Sequence, residues 1–174
     1  MKIFGLAGWS GSGKTTLLAG LIPELTRRGV AVSTIKHAHH RFDIDTPGKD
    51  SYEHRRAGAT EVMVSSVDRW ALMHENRGAG EPDVETLVAR MTPVDLVLIE
   101  GFKTYPHKKL EVHRPSVGKP LLAPEDSNIV AIASDAELTD ISLPVLGLSD
   151  FPGIADFVMS HCGLAGSGEN GSAE

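Results

Sequence analysis

Residues 2–15 read KIFGLAGWSGSGKT. The first six are mostly apolar and suit a short strand. Residues 8–15, GWSGSGKT, match G-x-x-x-x-G-K-[ST] in full. After them Leu17, Leu18, Leu21, Ile22 and Leu25 recur at helical spacing. Strand, glycine-rich loop and helix thus follow one another in the order a phosphate-binding loop needs. Gly8, Gly11 and Gly13 let the backbone wrap closely around an anion, and the amides opening the helix present several donors to it. Lys14 is expected at the β- and γ-phosphates and Thr15 at Mg²⁺. Ser10, Ser12 and Thr16 complete the expected binding set. Pro23 should kink or narrow the helix, and Gly29 should end it.

Working outward, strands and helices alternate. Residues 30–36 suit a strand, 50–58 a short helix, and 61–66 and 69–75 two strands joined at Val67-Asp68. Residues 83–91 suit a helix opened by Asp83. Residues 94–100, VDLVLIE, are a nearly continuous apolar run, as in a strand covered on both faces. Residues 108–114, 128–133 and 144–148 give further strands, and 151–162 a last helix. This pattern predicts an α/β fold of the P-loop NTPase type, an open and mostly parallel sheet with helices on both faces. The expected organisation is one nucleotide-binding domain over 1–162 and a disordered Gly/Ser-rich tail over 163–174.

In such a sheet ligands sit at the C-terminal ends of the strands. Asp95 and Glu100 lie roughly 16 Å apart along one strand. Only Glu100 is at the ligand end, where it can act on Mg²⁺ or on a water. Asp95 is assigned a structural role. The long polar loop 37–50 carries Asp43 and Asp45, acids suited to a metal or a γ-phosphate sensor. Asp43 is a candidate metal ligand beside Thr15 and Glu100, and Asp45 a candidate catalytic group beside Lys14 and Glu100. An ordinary polar loop is the plainer reading of the two aspartates. His37, His39 and His40 raise a transition metal, although no cysteine or carboxylate completes such a site. Arg55 and Arg56 are neighbours on a helix and point about 100° apart, so they cannot serve one site together. Glu111, His113 and Arg114 read as a surface strand. Trp9 packs over the loop or meets a second subunit.

The chain has 174 residues, a net charge of −6 and one cysteine, Cys162. That excludes an internal disulfide framework and a cysteine zinc site. Residues 1–87 hold 11 basic and 11 acidic side chains, and residues 88–174 hold 6 and 12. No basic face for nucleic acid is expected. No leader and no apolar run long enough for a membrane is read, so the expected location is the cytoplasm.

GWSGSGKTT, KHAHHRFDIDTPGKDSYEHRRAGA (36–59) and LIEGFK (98–103) together resemble the MobB family, molybdopterin-guanine dinucleotide biosynthesis protein B. The middle segment is the specific one. The resemblance covers roughly residues 1–160. It implies a GTP-binding fold, a homodimer, and a role near the step that attaches a guanine nucleotide to the molybdopterin cofactor. It further implies an accessory relation to the nucleotidyltransferase MobA and weak GTPase activity at most. Base choice falls on Asp135 in IASD (132–135). The chain lacks the Asn and Lys of the N-K-x-D pattern there, and Asp135 either reads guanine or caps a following helix. The alternative function is an ATP-dependent small-molecule kinase. A nucleotide-gated metal chaperone would rest on the histidines.

Overall fold

Val97 and Ile99 on one side of a strand, and Leu96 and Leu98 on the other, have no accessible surface. The run 96–100 is therefore a strand covered on both faces. The computed structural model describes residues 1–38, 42–102 and 104–165. These divide into two units, Met1–His37 with Met91–Glu174, and Ala38–Arg90.

The first unit holds strands β1 (Lys2–Ala7), β2 (Val32–Lys36), β5 (Leu96–Glu100), β6 (Lys109–His113), β7 (Ile129–Ser134) and β8 (Val145–Gly147). They form one sheet in the order β2-β5-β1-β6-β7-β8, with every pair parallel. Helices α1 (Lys14–Arg27) and α4 (Phe151–Cys162) cover one face. Leu17, Leu21 and Leu25 of α1 and Ile154 and Val158 of α4 pack there against Phe4, Leu6, Leu96, Leu98, Leu110 and Val112. The two helices meet at Gly20, where a Cβ would collide with the Phe151 ring. Pro23 is accommodated inside α1, and the Thr26 hydroxyl donates to the Ile22 and Pro23 carbonyls at 3.0 Å. Asp95 accepts from the Ala31 amide at 2.8 Å, at the end of the sheet away from Glu100.

One expectation fails here. Glu111, His113 and Arg114 do not form a surface strand. β6 lies between β1 and β7, and Lys109, Glu111 and His113 are buried. Their polarity is used internally. Lys109 pairs with Asp126 at 2.8 Å, and the two Glu111 oxygens accept from the Leu122 and Ala123 amides at 2.8 Å each. Those bonds tie down residues 114–127, whose only regular structure is two 3₁₀ turns, Pro115–Val117 and Ala123–Glu125. Below them His107 is buried against Gly5, where any Cβ would collide with its Nε2. Burial, with Lys109 nearby, pushes this imidazole down to about 4.

The second unit contains α2 (Asp50–Ala57), the antiparallel hairpin β3 (Glu61–Ser65) and β4 (Trp70–His74), and α3 (Val84–Ala89). Gly58, with φ of 115°, ends α2, and the Arg77 guanidinium donates to the Arg55 and Ala59 carbonyls at its C-terminus. The Asp83 side chain caps α3 through the Thr86 amide. Among the described residues no helix is long and apolar enough to cross a membrane. Of the expected tail, residues 166–174 lie outside the described residues, as do His39, His40 and Lys103.

Candidate functional site

The loop 8–13 joins the C-terminal end of β1 to the start of α1. Gly8 has a φ of 145°, and a Cβ there would strike the Val112 carbonyl. Only glycine lets the loop leave the sheet so close to β6. Gly11 and Gly13 also have positive φ, and no side chain caps α1 at Gly13. No acid occupies the first turn of α1. The helix therefore opens with uncapped amides and the positive end of its dipole at the loop. Lys14 folds back over the loop, its ammonium donating to the Gly8 and Trp9 carbonyls at 2.9 Å each. Ser12 is buried, and its hydroxyl makes no hydrogen bond. Ser10, Gly11, Thr15 and Thr16 are exposed. Trp9 reaches the segment after β6, its indole N–H donating to the Pro120 carbonyl at 2.8 Å.

The register of the sheet brings the second part of the site to this loop. Lys36, Glu100 and Leu6 lie side by side on β2, β5 and β1. Glu100 is thus at the C-terminal edge, next to the strand that feeds the loop. The Thr15 hydroxyl lies 3.3 Å from Glu100 Oε1, and the Lys36 ammonium 3.7 Å from Oε2. Gly101 follows with φ of 99°, against His37, whose ring lies 4.6 Å from that of Phe102. Thr15 and Glu100 are brought together, and Lys14, the residue before Thr15, folds over the loop. Lys36 joins them.

A hydroxyl and a carboxylate facing one another beside a lysine and a row of amides suit a Mg²⁺–triphosphate. Mg²⁺ takes one or two protein oxygens and completes its shell with phosphates and water. No group of three or more His, Cys, Asp or Glu side chains suited to a metal occurs among the described residues. The unsatisfied Ser12 hydroxyl and the glycine cradle fit a phosphate.

Asp135 follows β7 directly, beside an open cleft of ≈ 550 Å³ at the C-terminal ends of β7 and β8, lined by Ser134–Glu137 and Val145–Asp150. Such a volume suits a small ligand. No helix follows Asp135, so it caps none. It pairs instead with Arg114, at 3.5 Å from Nε.

Asp43 and Asp45 lie in the second unit, and one guanidinium holds both. Arg55 Nη2 is 2.5 Å from Asp45 and 2.9 Å from Asp43, and Nη1 is 2.8 Å from Glu75. Tyr52 lies under the same guanidinium, 5.4 Å from its ring centre. The hydrogen bonds from Arg55 hold the Asp45 carboxyl below its ordinary range. Arg56 is exposed and lies 5.9 Å from the centre of the same Tyr52 ring, while Arg55 holds the acids.

A parallel sheet whose first strand runs through a G-x-x-x-x-G-K-T loop into a helix, with an acid on the adjacent strand facing that loop, defines an α/β protein of the P-loop NTPase type. A family model for MobB, molybdopterin guanine dinucleotide synthesis protein B, matches residues 3–135, and the chain belongs to that family. It is 44% identical over 162 residues to the molybdopterin-guanine dinucleotide biosynthesis adapter protein of Escherichia coli K12, covering 91% of this chain and 92% of that one. The protein of the same name from Haemophilus influenzae is 43% identical over 159 residues, covering 91% and 88%. The crystal structure of Bacillus subtilis MobB aligns with a TM-score of 0.71 at 25% identity, covering 93% of this chain and 98% of that one. A crystal structure of molybdopterin-guanine biosynthesis protein B shares the fold, with a TM-score of 0.73 at 24% identity over 91% and 99%.

Proposed function

We propose that this chain is a GTP-binding adapter in the synthesis of molybdopterin guanine dinucleotide. The observation that carries the reading is the facing of Thr15 and Glu100 beside the Lys14-braced loop in a MobB family member. Gly8–Thr16 bind the triphosphate, and Ser12 gains the partner it lacks. Lys14 exchanges its two carbonyl acceptors for phosphate oxygens. Thr15 and Glu100 hold Mg²⁺, which neutralises phosphate charge when bound. Glu100 is also the carboxylate placed to orient a water, and any hydrolysis is slow. Asp135, beside its cleft, accepts from the N1–H and the exocyclic amine of guanine. Asp43 and Asp45 enter as acids of a nucleotide-sensing loop, and drawing them to a metal means taking them from Arg55.

The partners that follow are the molybdopterin cofactor, a nucleotidyltransferase of the MobA type, and a second copy of the chain, with all of them in the cytoplasm. The outer face of the hairpin supports the dimer. Met63 faces Leu72 across the strands, with Trp70 two residues along on the same side, and the three are 60%, 41% and 61% exposed. A two-stranded sheet is marginal alone, and an apolar outer face favours association.

Calorimetry with GTP and ATP, with and without Mg²⁺, tests the reading. Tighter Mg²⁺-dependent binding of GTP is expected. Equal affinities would return the site to the kinase alternative, and binding of neither nucleotide would remove the proposal.

A further inference from the structure

Arg114 is the one guanidinium of the first unit that reaches both the phosphate loop and the carboxylate assigned to the base. Strand alternation delivers it there. Leu110 and Val112 point from β6 into the core shared with α1, and residue 114 is next on that side. Pro115 follows, which keeps Arg114 extended, with φ −128° and ψ 116°. Its side chain therefore continues the inward-facing row just past the end of the strand, where α1 begins.

Two contacts result. Measured from the position a Cβ would take on Gly13, Arg114 Nε lies at 3.4 Å and Cζ and Nη2 at 3.5 Å each. Three atoms of the guanidinium plane at nearly one distance mean that its flat side rests on the loop. The second contact follows from the register of β6 and β7. His113 is aligned with Ser134, so Arg114 and Asp135 are neighbours one step further on. Arg114 Nε lies 3.5 Å from Asp135 Oδ2, in an ion pair outside hydrogen-bond geometry, and is buried without a hydrogen bond.

The fold alone gains little from this placement. A cation beside Lys14 and the uncapped N-terminus of α1 faces the positive end of the helix dipole. An adjacent carboxylate offsets that repulsion. The chain also lacks the Asn and Lys that precede the aspartate in N-K-x-D, and Arg114 supplies from the next strand the cation missing beside Asp135.

We propose that Arg114 is a positioning residue for base selection. Lying flat on Gly13 and paired with Asp135, it fixes the distance and angle between the phosphate loop and the base-reading carboxylate. It acts through Asp135 and does not itself contact the base. This rests on the reading above, in which a guanine nucleotide lies across the loop with Asp135 at its base.

The test is a double-mutant cycle on the full chain. Affinities for GTP, ATP and inorganic tripolyphosphate are measured with Mg²⁺ for wild type, Arg114→Ala, Arg114→Lys, Asp135→Ala and the double variant. Thermal unfolding confirms that each is folded, as expected for side chains more than a third exposed. Asp135→Ala should erase the GTP-over-ATP preference. Arg114→Ala should reduce that preference at least fivefold, and the double variant no further than Asp135→Ala alone. Arg114→Lys should restore part of it, and tripolyphosphate affinity should change less than twofold throughout. A wild-type preference in Arg114→Ala, with the preference lost in Asp135→Ala, overturns the positioning role and leaves the base reading standing. Tripolyphosphate affinity falling in step with GTP makes Arg114 a phosphate ligand and also overturns it. An unchanged preference in Asp135→Ala removes the base reading, and this proposal with it.

Discussion

The Thr15 hydroxyl and the Glu100 carboxylate, 85 residues apart in sequence, lie 3.3 Å from one another. Parallel pairing of β1 with β5 makes this contact, because it sets Leu6 beside Glu100 at the edge from which the phosphate loop departs.

Lys14→Ala should weaken triphosphate binding at least tenfold, about 1.4 kcal/mol. The ammonium donates to the Gly8 and Trp9 carbonyls of the loop, outside the apolar core between the sheet and α1, so the sheet should survive. Calorimetry alongside circular dichroism checks both halves. A folded variant with wild-type GTP affinity would contradict the phosphate role.

Cleavage of the loop 42–49 should respond to nucleotide and to acid. Arg55 clamps Asp43 and Asp45, so Arg55→Ala should speed limited proteolysis there severalfold. A nonhydrolysable GTP analogue with Mg²⁺ should protect wild type more than GDP does. The Asp45 carboxyl sits below its ordinary value of about 3.8 because Arg55 bonds its charged form. The unfolded loop therefore takes up a proton before the clamped one, and clamping is complete above about pH 4 and lost as pH falls below it. Equal protection by GDP and the analogue would remove the nucleotide-sensing role.

Stability should fall in mild acid on account of His107. The unfolded imidazole titrates near 6.5, the buried one at about 4. Between those values the unfolded chain binds more protons, so stability rises with pH across that window and is fully present above about pH 6.5. The limit is about 3 kcal/mol. Burial is the main cause, and Nε2 has no hydrogen-bond partner to receive a proton's charge. Denaturant titrations from pH 4 to 7 should show this slope in wild type and a flatter one in His107→Gln.

Gly20→Ala should destabilise, against the usual sign. In a helix that exchange ordinarily gains about 1 kcal/mol. Here the methyl meets the Phe151 ring, and overpacking costs about 1–3 kcal/mol. A raised melting temperature would contradict the α1–α4 packing. Met63→Glu on the hairpin should shift sedimentation toward monomer and lower the melting temperature only as far as lost association does, so that the difference from wild type shrinks on dilution.

Much of this was readable in the sequence, and the gaps have a physical cause. The loop at 8–15, the buried run ending at Glu100 and the cap at Asp83 each depend on residues close together in the chain, so spacing alone revealed them. Glu111 and His113 misled because polar alternation looks the same on a surface strand and on a central strand, where they and their neighbour Lys109 are buried and charges are met from within. Their partners, Asp126 and the Leu122 and Ala123 amides, are set by tertiary packing. Arg114 was missed for the same reason. Only the β6–β7 register puts it beside Asp135, and strand order is not written in periodicity.

Sheet order also governs how the chain is made. Lys2 pairs with Leu96, and Gly5 with Lys109, so the central strand is synthesised first and partnered late. At about 5–20 residues per second, ribosomes leave β1 without either neighbour for roughly 5–19 s. During that interval the unpaired N–H and C=O groups along its two edges are open to other nascent chains. Helper proteins that hold β1 as it emerges should therefore matter more for the yield of this protein than for its final stability.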